Sequence, residues 1–171
     1  MTYEQLEYKK EEIEAYLQDP VMQEFLELMQ QRRIDYSDIY RIRKYLEQPQ
    51  EYNSIFNQKE IAYLTNNLRS LHKLLKKKNA CRIFLSLRNS DNCYSLSNRL
   101  KISRPAVKWW LELLLESLLI KVRDFDEGNE ILFRRNYDRP HIRRIIFLLD
   151  FIAENKLKQI ALDQTKDILE F

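Results

Sequence analysis

One glycine, Gly128, four prolines, two cysteines and two histidines in 171 residues set the first limits on this chain. So little glycine and proline leaves scant material for tight β-turns and none for a glycine-rich phosphate loop, which predicts a mainly helical protein. Cys81 and Cys93 are too few for a disulfide framework, and one of them lies on an expected buried helix face, so a reducing cytoplasm fits. They stand without a Cys-x-x-Cys or His-x-His pattern, and Asp126-Glu127-Gly128 lacks the acidic spacing of an EF-hand, so no metal site is expected. With His72 and His141 as the only histidines and no nucleophile elbow, no catalytic constellation assembles. Neither an enzyme nor a cofactor is expected. No apolar run is long enough to cross a bilayer and no basic start precedes one, which predicts a soluble, unsecreted chain with no membrane partner.

What is present is charge, unevenly spread. The net charge of +3 conceals a span from Arg69 to Lys108 with eleven lysines and arginines against one acid, Asp91. The first thirty residues run the other way, with Glu4, Glu7, Glu11, Glu12, Glu14, Asp19, Glu24 and Glu27 against Lys9 and Lys10. A cationic span of this kind is the electrostatic footprint of polyanion binding, which is driven by counterion release. The plainer alternative is a solvated helix surface.

The organising stretch runs from Tyr94 to Val122. Leu96 and Leu100 stand one helical turn apart, and Ile102 follows as an apolar plug. Ser103 then offers a hydroxyl as N-cap, with Pro105 tolerated in the first turn. Val107, Trp110, Leu111, Leu114 and Leu118 recur on one face of a 3.6-residue period and predict a core-facing helix. Two helices joined by so short a turn must cross steeply. Leu119 to Arg123 reads as a strand, Asp126 to Asn129 as a turn and Ile131 to Phe133 as the return strand, with Gly128 expected at positive φ.

This stretch resembles the winged helix-turn-helix family of transcription regulators, which includes the MarR and ArsR types. The likeness lies in Leu96 and Leu100 of the first helix, Ile102-Ser103 in the turn, Val107, Leu111 and Leu114 in the second helix, and Leu119-Ile120 opening the wing. It covers roughly residues 79 to 136 and is a pattern of apolar spacing. The expected fold is therefore mainly α: a winged helix-turn-helix core with a small β-hairpin wing, flanked by N-terminal helices and a C-terminal helix. The family's usual glycine before the wing is Leu118 here.

The resemblance implies sequence-specific binding of double-stranded DNA by a homodimeric transcription regulator. On a helical wheel Arg104, Lys108 and Glu112 line up opposite the core face, with Pro105 and Trp109 beside them, as the residues that would read bases. Ser103 stands at the same base-reading end, Ser97, Asn98, Arg99 and Lys101 would touch the backbone, and Arg123, Arg134 and Arg135 on the wing strands are further DNA-binding candidates. Two features favour another class, a protein-interaction module. Ala106, Trp109 and Leu113 form a second apolar strip that needs cover, and Asp124, Asp126, Glu127 and Glu130 at the wing tip would be repelled by phosphates. Structured RNA is a third partner that the same basic field would attract.

The flanks complete the expectation in three parts, residues 1–78, 79–137 and 138–171. Helices are expected over 3–18 (Leu6, Ile13, Tyr16, Leu17), from Val21 to Gln31 behind Asp19-Pro20, and from Ser37 to before Pro49 with Ile39, Ile42, Tyr45 and Leu46 inward. From Asn57, Ile61, Leu64, Leu68, Leu71 and Leu75 form a short heptad seam that must dock on the other helices or on a second copy. Lys76-Lys77-Lys78 closes that helix against its dipole, and Asn79 is expected to cap the next. After Asp138-Arg139-Pro140 a helix runs to the C-terminus with a break near Asn155. Its Ile145, Leu149 and Ile152 are expected, with the heptad seam, to pair across a two-fold axis.

Overall fold

The computed structural model describes residues 10–31, 33–47, 55–125 and 128–169, with side chains undescribed at 10, 42–47 and 166–169. The expectations placed on Leu6, Ile42, Tyr45, Leu46, Pro49, Asp126 and Glu127 fall outside the described residues and side chains. What is described is mainly helical, with one two-stranded antiparallel sheet. The chain divides into two compact units, Met1–His72 and Lys73–Phe171.

The first unit holds α1 (Lys10–Leu17), α2 (Pro20–Gln30), α3 (Tyr36–Glu47), α4 (Gln58–Asn66) and the start of α5 (Leu68–Lys76). Asp19 starts α2 as the sequence predicts: its carboxylate accepts the N–H of Val21 at 2.9 Å, with Pro20 in the first turn. The same side chain accepts the N–H of Ile55 at 2.7 Å. Asp35, for which the sequence raised no expectation, does the equivalent for α3 by accepting from Ser37 and Asp38, and the Ser37 hydroxyl in particular holds its carboxyl below the ordinary value. Asn57 opens α4 with a reciprocal capping box, receiving the Glu60 N–H at 2.9 Å while its own N–H reaches the Glu60 carboxylate at 3.1 Å.

The heptad seam is not one helix. It breaks at Asn67, whose side-chain amide donates back to the Tyr63 carbonyl at 2.9 Å. Ile61, Leu64, Leu68, Leu71 and Leu75 are all buried within the single chain. Side chains already removed from water have little left to gain from a second copy, which corrects their assignment to a dimer seam.

The second unit contains the rest of α5, α6 (Lys78–Ser86), α7 (Cys93–Leu100), α8 (Arg104–Glu116), β1 (Ile120–Phe125), β2 (Ile131–Arg135) and α9 (Pro140–Leu169). Here α6 is central: α9 packs along it, and α7 and α8 pack on it and on each other. Its Ile83 and Phe84, and Leu87 at its end, are buried, as are Ile142, Ile145, Ile146 and Leu149 of α9. Asn79 does not cap α6: the helix begins at Lys78, and the Asn79 side-chain oxygen accepts from Arg82 instead. Nor does α9 break near Asn155, since it runs unbroken for 30 residues. Ile145 and Leu149, expected at a dimer face, are core residues, and Ile152 is half-buried.

The hairpin is antiparallel, with Ile120 opposite Arg135, Val122 opposite Phe133 and Phe125 opposite Ile131, and a bulge between Val122 and Asp124. Asp91, between α6 and α7, exchanges both backbone hydrogen bonds with Phe133 and so ties the hairpin to the helices. Leu118 takes φ 63° because the end of α8 requires it. The Leu119 N–H bonds the Leu114 carbonyl and the Leu118 N–H bonds that of Leu115, a Schellman closure whose left-handed residue is ordinarily glycine. Gly128, by contrast, is not at positive φ; Asn129 takes that conformation at φ 60°, as asparagine tolerates.

Candidate nucleic-acid interface

The turn between α7 and α8 is built from local hydrogen bonds. Asn92 caps α7 by accepting the Ser95 N–H at 2.7 Å, and the helix ends on Lys101 in the left-handed region at φ 57°. The Ser97 hydroxyl donates to the Ile102 carbonyl at 2.6 Å, and Ile102 is buried. Ser103 then caps α8 by accepting from Ala106, with Pro105 in the first turn, as the sequence predicts.

Burial of Val107, Leu111, Leu113 and Leu114 fixes the orientation of α8. Its exposed face is Arg104, Pro105, Lys108, Trp109, Glu112 and Glu116, so the cations stand at the N-terminal end and the acids at the other. The Arg104 guanidinium lies over the ring of Tyr94, 5.1 Å from its centroid. Sequence reasoning misses Tyr94 as part of the site; an aromatic in the first turn of α7, where the core needs none, is its only signal. Among the described residues no carboxylate stands in ion-pair range of Lys101, Arg104 or Lys108.

Other residues of the expected site are spent on structure. Arg99 pairs with Asp91 at 2.6 Å. Arg123, in the bulge, donates to the Ser90 hydroxyl at 3.2 Å and is otherwise exposed, as is Asn98. Arg134 meets Asp138 at 3.2 Å beside a Lys121–Asp138 pair, so Asp138 holds two cations of the hairpin strands. The Ser97 hydroxyl is committed to the turn.

Arg135 is the clear correction. It is 2% exposed and cannot meet a phosphate. Its guanidinium donates to the Asp150 carboxylate of α9, to the Phe84 carbonyl of α6 at 2.8 Å and to the Tyr137 hydroxyl at 3.3 Å, and lies over the Phe84 ring. Burial pushes the Asp150 carboxyl above its ordinary value, against the opposing pull of Arg135 and Arg88. The base of the hairpin is thus clamped to α9 by a buried charge pair and to α6 by a hydrogen bond from the same guanidinium.

Toward the tip the inner face of the hairpin emerges into solvent. Val122, Phe125 and Ile131 share that face, and Phe125 is 60% exposed. Of the second apolar strip on α8, Leu113 is buried and Ala106 half-buried, whereas Trp109 remains 50% exposed with its ring edge-on to Trp110. Among the described residues no group of three His, Cys, Asp or Glu is placed to hold a metal ion, and no helix is long and apolar enough to cross a membrane. The sequence matches no protein-family model and no curated protein.

Proposed function

We propose that the second unit is a winged helix-turn-helix domain that binds double-stranded DNA in a sequence-specific manner, as a homodimeric transcription regulator. Element order supports the fold reading: α6, the Asp91 bridge, α7, a short turn, α8 and a hairpin follow one another as that family's pattern requires. One observation carries the function: the capped N-terminal end of α8 holds Arg104 and Lys108 in solvent, with no carboxylate in ion-pair range among the described residues. Arginine at such a helix start can pair bidentately with guanine, and lysine can take guanine or a phosphate. Asn98 and Lys101 are exposed where they can flank them on the backbone.

A second reading has its own observation. Exposed Trp109 and the exposed strand residues Val122, Phe125 and Ile131 are costly to leave in water, which favours a protein partner for these side chains. The readings separate by mutation. Under DNA binding, Arg104→Ala and Lys108→Ala each weaken selected duplex by about 1–3 kcal/mol, and Trp109→Ala changes it little. Under the protein-partner reading, Trp109→Ala abolishes capture of the partner and the cationic variants leave capture intact.

A further inference from the structure

Between Glu60 and Asp91 the chain has no carboxylate, yet it carries seven cations. Three are structural: Arg69 lies over Tyr36, Arg88 pairs with Glu154 and Asp150, and Arg82 bridges backbone and side-chain acceptors. The four lysines, Lys73, Lys76, Lys77 and Lys78, have no ion pair among the described residues, and Lys77 and Lys78 are exposed at the corner between α5 and α6.

That corner is fixed in place. The Cys81 thiol, buried one turn into α6, donates to the Leu74 carbonyl at 3.4 Å and holds α6 against the end of α5. Arg82, on the same helix, donates through one nitrogen to the Asn79 side chain at 3.2 Å and through the other to the Leu100 carbonyl at 2.7 Å. A single guanidinium therefore spans from the first turn of α6 to the last residue of α7. Lys101 follows at once, and Arg104 three residues later. Arg82 thus ties the helix that follows the lysine corner to the end of the helix that leads into α8.

We infer that Lys77 and Lys78 contact the phosphate backbone of the same duplex whose bases meet Arg104 and Lys108, extending the interface beyond the two crossing helices. The inference rests on the DNA-binding reading and adds a specific surface to it. Arg82 is a positioning residue; the two lysines are the side chains that touch phosphate.

The test is the salt dependence of binding, because removing one phosphate-binding cation lowers the slope of log Kobs against log salt by about 0.9. Full-length chain is titrated against a fluorescent mixed-sequence duplex over a salt series. The K77A/K78A variant is expected to reduce the slope by about 1.8, and K77Q/K78Q, which keeps most of the side-chain length, to match it. The control is K156A/K158A on α9, with the same change in net charge at exposed positions, expected to leave the slope unaltered. An unchanged slope in both corner variants overturns the inference while DNA binding stands. An equal drop in the control overturns it too, since net charge alone would then explain the effect. A wild-type chain that binds no duplex removes the underlying reading and the inference with it.

Discussion

Replacing Arg135 with methionine distinguishes most sharply between a phosphate-binding role for the hairpin arginines and a structural one. The guanidinium is enclosed and has three acceptors: the Asp150 carboxylate, the Phe84 carbonyl at 2.8 Å and the Tyr137 hydroxyl at 3.3 Å. Breaking a buried ion pair by removing one partner costs about 3–5 kcal/mol, because the other charge is left desolvated. Asp150 would retain only Arg88, whose Nε lies 3.8 Å away and whose side chain is partly exposed. Arg88 compensates in part, so R135M should cost about 3 kcal/mol, or roughly 6–12 °C in Tm for a chain of this size. D150L should cost as much. The double variant R135M/D150L should cost less than the sum by about 2 kcal/mol, since neither charge is then stranded. Thermal and urea denaturation followed by circular dichroism gives these values. Well below its Tm, R135M should bind duplex as wild type does. Wild-type stability combined with weakened duplex binding would refute the clamp and return Arg135 to the surface role that its strand position implies.

Other consequences can be checked singly. Burial pushes Cys81 up to about 11 from 9.0, so the unfolded thiol ionises first. Stability from this group is therefore full below about pH 9 and falls as pH rises to about 11; C81A should flatten that decline in urea titrations. Native chain should also label with a thiol reagent at half-buried Cys93 and not at Cys81, and the reverse order would contradict the burial. Leu118→Gly should raise stability by about 1 kcal/mol by relieving the left-handed conformation; a lowered Tm would mean its side chain contributes more than the strain. The proposed homodimer has uncovered apolar surface on the far half of α9, where Leu162 is 57% exposed. A161K/L162K should sediment as a monomer of unchanged helicity, and a persistent dimer would locate the interface elsewhere.

What can be read from sequence is local. Asp19 and Ser103 act on backbone groups two or three residues away, so those helix starts can be anticipated, and the spacing of Val107, Leu111 and Leu114 marks the buried face of α8, whereas Leu118 at the same spacing is exposed and Leu113 outside it is buried. Long-range pairings cannot. Alternation along β2 gives Arg135 no sign of Asp150, which lies on a different element, so a clamp and a phosphate-binding arginine look alike in sequence. A heptad spacing reads the same whether its leucines meet another chain or their own, and here Ile61, Leu64, Leu68, Leu71 and Leu75 are buried in one chain. The turn misleads for a third reason: Gly128 can adopt positive φ but Asn129 can as well, and composition alone does not choose between them.

Whether Ser103 to Lys108 of α8 meets duplex DNA decides the functional reading. The affinity of the full-length chain for duplex DNA, single-stranded DNA and structured RNA, taken at two salt concentrations with Arg104→Ala beside wild type, answers it in one experiment. The expected result is preference for the duplex, an affinity that falls steeply with salt, and a penalty of about 1–3 kcal/mol for the variant. Absent or salt-independent duplex binding, or a variant indistinguishable from wild type, would contradict the assignment.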